Sequence, residues 1–268
     1  MSIHSETGAG KLFSQATMEK HLRVVVGTAA VAVFLILWQI TSLLNPLMSK
    51  YVSSPLACLG AGWNMLWQAS FWNDLSVSAL EFGLGFLTAV VIGLIIGVGM
   101  GLNKRISYLL EPIIMAMNAT PRMALIPILV VWFGIGLASK IAVVFLGAVI
   151  PVIINTMVGI QSVDTILLRA AHSFGAGKRD EYFKILLPGS VPAIMTGIRL
   201  GLGRGILGMI IAEMYAAVAG VGNAIMLYGQ AIQVNELIFL IVLVSVLGFV
   251  LVTIVGKLEK RLGHWKLN

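Results

Sequence analysis

Ser162-Val-Asp-Thr-Ile-Leu-Leu-Arg-Ala-Ala-His-Ser-Phe-Gly-Ala-Gly-Lys-Arg-Asp-Glu-Tyr-Phe-Lys-Ile-Leu-Leu-Pro188 lies between two long apolar runs, and the fold is decided by how it is read. Asp164 is placed to cap a helix, because a short carboxylate before an apolar turn accepts the first free amides. That helix runs to about Phe174. Gly175 and Gly177 break it, since glycine tolerates positive φ. A second helix covers Lys178 to Leu187, and Pro188 is expected to end the motif and open the next apolar run. The product is a bent pair of short helices. Its surface mixes Phe174, Tyr182, Phe183 and Ile185 with charges. Such a surface suits a groove on a soluble partner or, alternatively, a bed of lipid headgroups.

Outward from this loop the chain is strongly apolar. Of 268 residues, 59% are hydrophobic and only 11% charged, with a mean hydropathy of +0.98. Soluble domains carry about 25% charged residues, so the bilayer must act as this chain's solvent. Four uncharged runs are long enough to cross it: Val24–Leu44, Phe82–Leu102, Ile141–Val163 and Leu237–Gly256. Two further runs carry charges, Glu111–Phe133 with Arg122 and Gly189–Ala217 with Arg199, Arg204 and Glu213. Together they predict an all-α membrane protein of six transmembrane helices. The first run is 21 residues long, beyond the 7–15 of a cleavable signal, so it is expected to be a retained span.

Orientation follows from lysine and arginine. The N-terminal tail, the 2–3 loop, the 4–5 loop and the C-terminal tail hold 13 of them, against Lys50 and Lys140 on the other side. Both termini are therefore expected in the cytoplasm, which requires an even number of spans. The predicted division is a tail at 1–23, a transmembrane domain at 24–256 containing the loop 164–188, and a tail at 257–268. The net charge of +7 is spread between spans rather than gathered in a patch, so no nucleic-acid partner is expected.

Small residues recur every four positions at Gly85, Ala89, Gly93, Gly97 and Gly101, and again at Gly197, Gly201 and Gly205. Residues four apart share a helix face, and smooth faces let membrane helices approach closely. Pro112, Pro121 and Pro127 should kink or unwind the third span. Inside the spans, Arg122, Asn155 and Glu213 are candidates for a translocation path or gate, since buried charge in a bilayer is costly. Arg199 and Glu213 share a face but lie about 21 Å apart along it. Arg199 is therefore expected near the cytoplasmic boundary. Glu213 is read as the only deep acid and should pair with another helix.

Catalytic and cofactor chemistry finds no foothold. Gly175-Ala-Gly177-Lys178 lacks the earlier glycine and the following Ser or Thr of a phosphate loop; His172 and Arg179 stand there instead. The single Cys58 and the scattered His4, His21, His172 and His264 have no metal-ligand spacing. Asn118-Ala-Thr120 matches a glycosylation sequon by chance within a span. There is no internal inverted repeat of the kind an ion-driven secondary transporter shows.

The loop resembles the signature of binding-protein-dependent ABC importer permeases: Glu-Ala-Ala, three residues, Gly, nine residues, Ile, one residue, Leu-Pro. Here Ala170, Ala171, Gly175, Ile185, Leu187 and Pro188 stand at those positions, and Arg169 replaces the glutamate. Any polar contact of that glutamate is not carried over. Thr120-Pro121-Arg122 through Pro127, then Trp132-Phe133-Gly134-Ile-Gly136, is similar to the third helix of the nitrate/sulfonate/taurine branch. Arg199-Leu-Gly-Leu-Gly203 through Ala212-Glu213-Met214, with Gly220-Val-Gly222, is similar to that branch's fifth helix. The likeness covers roughly residues 55–265.

The resemblance implies a type I ABC importer permease fold in a bacterial inner membrane. It further implies a second permease copy, giving a homodimer, two cytoplasmic ABC ATPase subunits that bind the ATP, and an extracytoplasmic substrate-binding protein. The permease itself would be no enzyme and would hold no cofactor. The solute would be a small anion such as a sulfonate, taurine or nitrate; a pyrimidine precursor or aromatic carboxylate is the alternative. Residues 169–171, 175, 185, 187 and 188 would form the ATPase-coupling loop.

Overall fold

The computed structural model describes residues 6–44, 51–216 and 218–262. Lys50, His4, His264 and Lys266 lie outside that set, as do the side chains of Lys11, Lys20, His21 and Arg23. In chain order the helices are α1 (Glu6–Leu44), α2 (Pro55–Met65), α3 (Ala69–Leu102), α4 (Lys104–Ala119), α5 (Ile126–Phe133), α6 (Leu137–Gln161), α7 (Thr165–Ser173), α8 (Lys178–Ala216), α9 (Val221–Gln230) and α10 (Val234–Leu262). Five are long and apolar enough to cross a membrane. The pair α4 and α5, joined through a 3₁₀ turn at Arg122–Leu125 and bent by 92°, makes a broken sixth. The break falls at Thr120-Pro121, where the expected kink lies. Pro112 remains inside α4.

The core is α6, held between α3 and α8. The small-residue stripe of α3 is what permits the first contact. A Cβ on Gly85, Gly93, Gly97 or Gly101 would lie 2.6–2.8 Å from the Cβ of Val144, Val152, Thr156 and Ile160 respectively. Both series advance by four in the same direction, so the helices run parallel, with a ridge of branched residues seated in a groove of glycine. Ala89 and Ala148, both wholly buried, join the same cluster. On the other side α8 runs antiparallel: a Cβ on Gly197 would meet the Cβ of Asn155 at 2.7 Å, and one on Gly201 the Ala148 carbonyl at 2.9 Å. The two predicted stripes are thus packing faces. α1 touches the rest chiefly through α2 and leaves Phe34, Leu43 and Leu44 exposed, as a lipid-facing helix must.

Two boundaries differ from expectation. Pro188 does not end the loop: α8 runs unbroken from Lys178 to Ala216. Its missing amide and the clash with the preceding turn are accommodated by a π-helical stretch at Glu181–Leu186, where the wider winding relieves the i−4 contact. Gly177 has an ordinary φ of −81°, so Gly175 alone, at φ +82°, needs the freedom of glycine. α9 is a short helix between α8 and α10 that apolar-run counting does not see.

Candidate functional site

Three constellations hold the predicted residues. The first is the protrusion at one end of the bundle. The Asp164 carboxylate accepts the Ile166 amide at 2.8 Å and caps α7. At the other end Gly175 turns left-handed and the Ala176 amide donates back to the Ala171 carbonyl at 3.0 Å, which closes the helix. His172 and Glu181, 3.2 Å apart, bridge the two arms, and Lys184 pairs with Asp180 at 2.7 Å. Arg169, Ala170 and Gly175 are exposed; Ala171, Ile185, Leu187 and Pro188 are half-buried where the knob meets α8. Phe174 is 91% exposed, an aromatic ring carried outward at the Gly175 turn. Arg169 has no ion-pair partner among the described residues.

The second is a cleft of about 480 Å³ at the break between α4 and α5, walled by α6 and α8. Arg122 donates to the Gly147 carbonyl at 3.3 Å and to Asn118 Oδ1 at 3.2 Å. Arg204 reaches the same Asn118 oxygen at 3.3 Å. The Gly147 carbonyl is free for Arg122 because its helical partner four residues on is Pro151, which has no amide hydrogen. Below the arginines the groove continues as an apolar pocket of about 660 Å³ past Pro127, Val130 and Tyr215.

The third is a closed acidic cluster. Glu213 is completely buried. One carboxylate oxygen accepts the Ser78 hydroxyl at 2.6 Å, the other the Gly222 amide at 2.6 Å. Ser78 in turn accepts the Val221 amide at 2.8 Å, and Asp74 the Gly220 amide at 2.8 Å. One turn from Ser78 on α3, Glu81 takes a 2.6 Å bond from Lys140 on α6, both side chains being at most 5% exposed. The N-terminus of α9 is therefore pinned onto α3 and α8 by its own backbone donors. Glycine is required at 220 and 222: a Cβ on Gly220 would strike the Glu213 carboxylate at 2.6 Å, and one on Gly222 the Ile210 carbonyl at 2.4 Å.

The structure does not gather Arg122, Asn155 and Glu213 into one place. Asn155 donates to the Pro151 carbonyl of its own helix at 2.9 Å and packs on Gly197, away from the cleft. Glu213 pairs across helices, as expected, but with a hydroxyl and an amide, and it is not the only deep acid. Glu81 stands just before the uncharged run Phe82–Leu102, and Lys140 stands just before Ile141–Val163, where a loop is expected. Both are buried. Arg199 pairs with Glu259 of α10, and Arg204 proves to be the partner of Arg122. No group of three metal-binding side chains occurs among the described residues.

Residues 89–264 match the family described as binding-protein-dependent transport system inner membrane component. The chain is 31% identical to the taurine transport system permease protein TauC of Escherichia coli strain K12, over 91% of this chain and 90% of that relative. It is 28% identical to the nitrate import permease protein NrtB of Synechocystis, over 88% of each. Among solved structures, an inward-facing conformation of the MetNI methionine ABC transporter superposes with a TM-score of 0.58 at 20% identity, covering 72% of this chain and 94% of that one, which bears on the fold alone. The chain is a multi-pass membrane permease of the binding-protein-dependent ABC transport family.

Proposed function

We propose that this permease is the transmembrane subunit of an ATP-driven importer in the bacterial inner membrane, with both termini in the cytoplasm, and that it moves a small anion inward by alternating access. Two copies form the pathway. Two ABC ATPases seat on residues 164–188, bind and hydrolyse the ATP, and an extracytoplasmic binding protein delivers the solute. Sulfonates, taurine and nitrate are the solutes best in keeping with the relatives' names and with a cleft that presents two arginines.

One observation carries the coupling role. The second arm of the knob and the membrane-spanning wall of the cleft belong to a single continuous helix, Lys178–Ala216, onto which α7 is folded by the Gly175 turn and the His172–Glu181 contact. A push on that arm is delivered to Arg204 and Glu213 without passing through a loop. A two-state transporter needs such a stiff connector. Ala170 and Ala171 keep the face of α7 narrow, Gly175 sets the bend, and the half-buried Ile185, Leu187 and Pro188 seat the knob on α8. The energy comes from nucleotide binding by the partner, so no acidic ion site is needed in the membrane, and the ion-driven alternative is disfavoured.

Co-expression with candidate ATPases followed by affinity purification of this chain tests the assignment: an ATPase should copurify, and uptake into proteoliposomes should require ATP. Gly175→Val should leave the protein inserted, cost about 1–2 kcal/mol locally by forcing a branched residue into left-handed backbone, and reduce ATP-driven uptake at least tenfold. Uptake without ATP, or normal uptake by that variant, contradicts the proposal.

A further inference from the structure

We propose that the cleft at the α4–α5 break is an anion-binding station inside the permease, where Arg122 and Arg204 together take the oxyanion group of the solute in transit. This rests on the permease function above and deepens it. It places recognition of charge within the membrane subunit as well as in the binding protein that delivers the solute.

The two guanidiniums converge on one neutral oxygen. Arg122 and Arg204 both donate to Asn118 Oδ1, at 3.2 and 3.3 Å. A single amide oxygen cannot neutralise two positive charges. Among the described residues neither arginine has a carboxylate partner, whereas Lys140 has Glu81 and Arg199 has Glu259. Every other cation placed between these helices is thus answered by an acid, and this pair alone is left for something the chain does not itself contain.

The surroundings are those of a ligand site. The cleft volume of about 480 Å³ falls in the range of small-molecule pockets. Apart from the arginines, Asn118 and Thr120, its lining is backbone, glycine and aliphatic side chain. Beside such an aliphatic lining, a charge–charge contact to the half-buried Arg122 is screened less than in open water. A guanidinium presents parallel N–H donors that match the spaced oxygens of a sulfonate, carboxylate or nitrate. Arg122 is already anchored on the Gly147 carbonyl. Arg204 comes from α8, the helix that bears the knob. A movement of α8 therefore changes the separation of the two arginines, and with it the grip on the anion.

The test uses the purified complex of this permease with its copurifying ATPase in lipid nanodiscs, without binding protein. Methanesulfonate and nitrate are the anionic probes; dimethyl sulfone is the uncharged control matched in size to methanesulfonate. The wild-type melting midpoint should rise with either anion and not with the sulfone. The shift should vanish in Arg122→Gln and Arg204→Gln and be partly retained in Arg204→Lys, which keeps the charge and loses the fork. Reconstituted in proteoliposomes with its binding protein, the complex should show at least a tenfold loss of ATP-driven uptake in Arg204→Gln. Absence of any anion-dependent shift in wild type, or an equal shift in the Gln variants, overturns the inference. So does a change of oligomeric state in the Gln variants with the anion shift intact, which would mean that the arginines meet a second copy of this chain. Failure here with ATP-driven uptake preserved leaves the importer standing. Anion binding without any copurifying ATPase would instead sink the importer and leave the station.

Discussion

Two charged clusters inside the same bundle are built on opposite rules. The cluster of Glu81, Lys140 and Glu213 is closed: its members are at most 5% exposed. Glu81 meets an ammonium through one oxygen, while its other oxygen is buried without a hydrogen-bond donor among the described residues, and both Glu213 oxygens have donors. The cluster of Arg122, Arg204 and Asn118 is open: Arg204 and Asn118 are exposed, no acid pairs with the arginines among the described residues, and they border a cleft of about 480 Å³. Closed, paired charge in a low-dielectric interior fixes the helices that carry it, because removing one member leaves a buried charge without its partner. Open, unbalanced charge fixes nothing, and its like members repel. The first cluster is where α3, α6, α8 and α9 are tied together; the second is the proposed station for the solute.

Removing members one at a time sharpens that contrast. The largest effect is expected from Lys140→Met, which strands Glu81 in the interior and should destabilise the permease by about 3–5 kcal/mol, read as a fall in melting midpoint and in the yield of folded protein. Glu213→Gln comes next. The amide keeps one acceptor but turns an NH₂ toward either the Ser78 hydroxyl or the Gly222 amide. It should cost about 1–3 kcal/mol and loosen α9, detectable as faster hydrogen exchange at Val221 and Gly222. The smallest effect is expected from Asn118→Ala in the open cluster, within about 0.5 kcal/mol of wild type, while uptake falls because the two guanidiniums lose their common anchor. A large loss of stability there would break the comparison.

How far the sequence could be read follows the same division. The stripe from Gly85 to Gly101 was legible because spacing by four is a local property. Its partner ridge, Val144 through Ile160, was equally local. Extending both series by one turn reaches Glu81 and Lys140, so the ion pair lies on the very register of the packed helices. A search for uncharged runs discards that signal, since it stops at the first charge. Pro188 misled for a related reason: proline as helix terminator is a rule of local geometry, and the π-helical winding that absorbs it over Glu181–Leu186 has no comparable mark in composition. The knob was read almost residue by residue, since Asp164 and Gly175 act on their own neighbours. The convergence of Arg122 with Arg204 was not, because it depends on the antiparallel register of α6 and α8 and on the carbonyl that Pro151 leaves free. Gly220-Val-Gly222 marks the start of α9: the two glycines and the valine between them supply the amides that reach Asp74, Ser78 and Glu213.

The most direct test is the melting midpoint of Arg204→Gln, measured without anion beside wild type and Lys140→Met. In an open cationic pair the substitution removes like-charge repulsion and one long, exposed hydrogen bond to Asn118, so the midpoint should stay close to that of wild type or exceed it while Lys140→Met falls well below it. A fall in Arg204→Gln comparable to that of Lys140→Met would show that both clusters are structural, and would contradict the account.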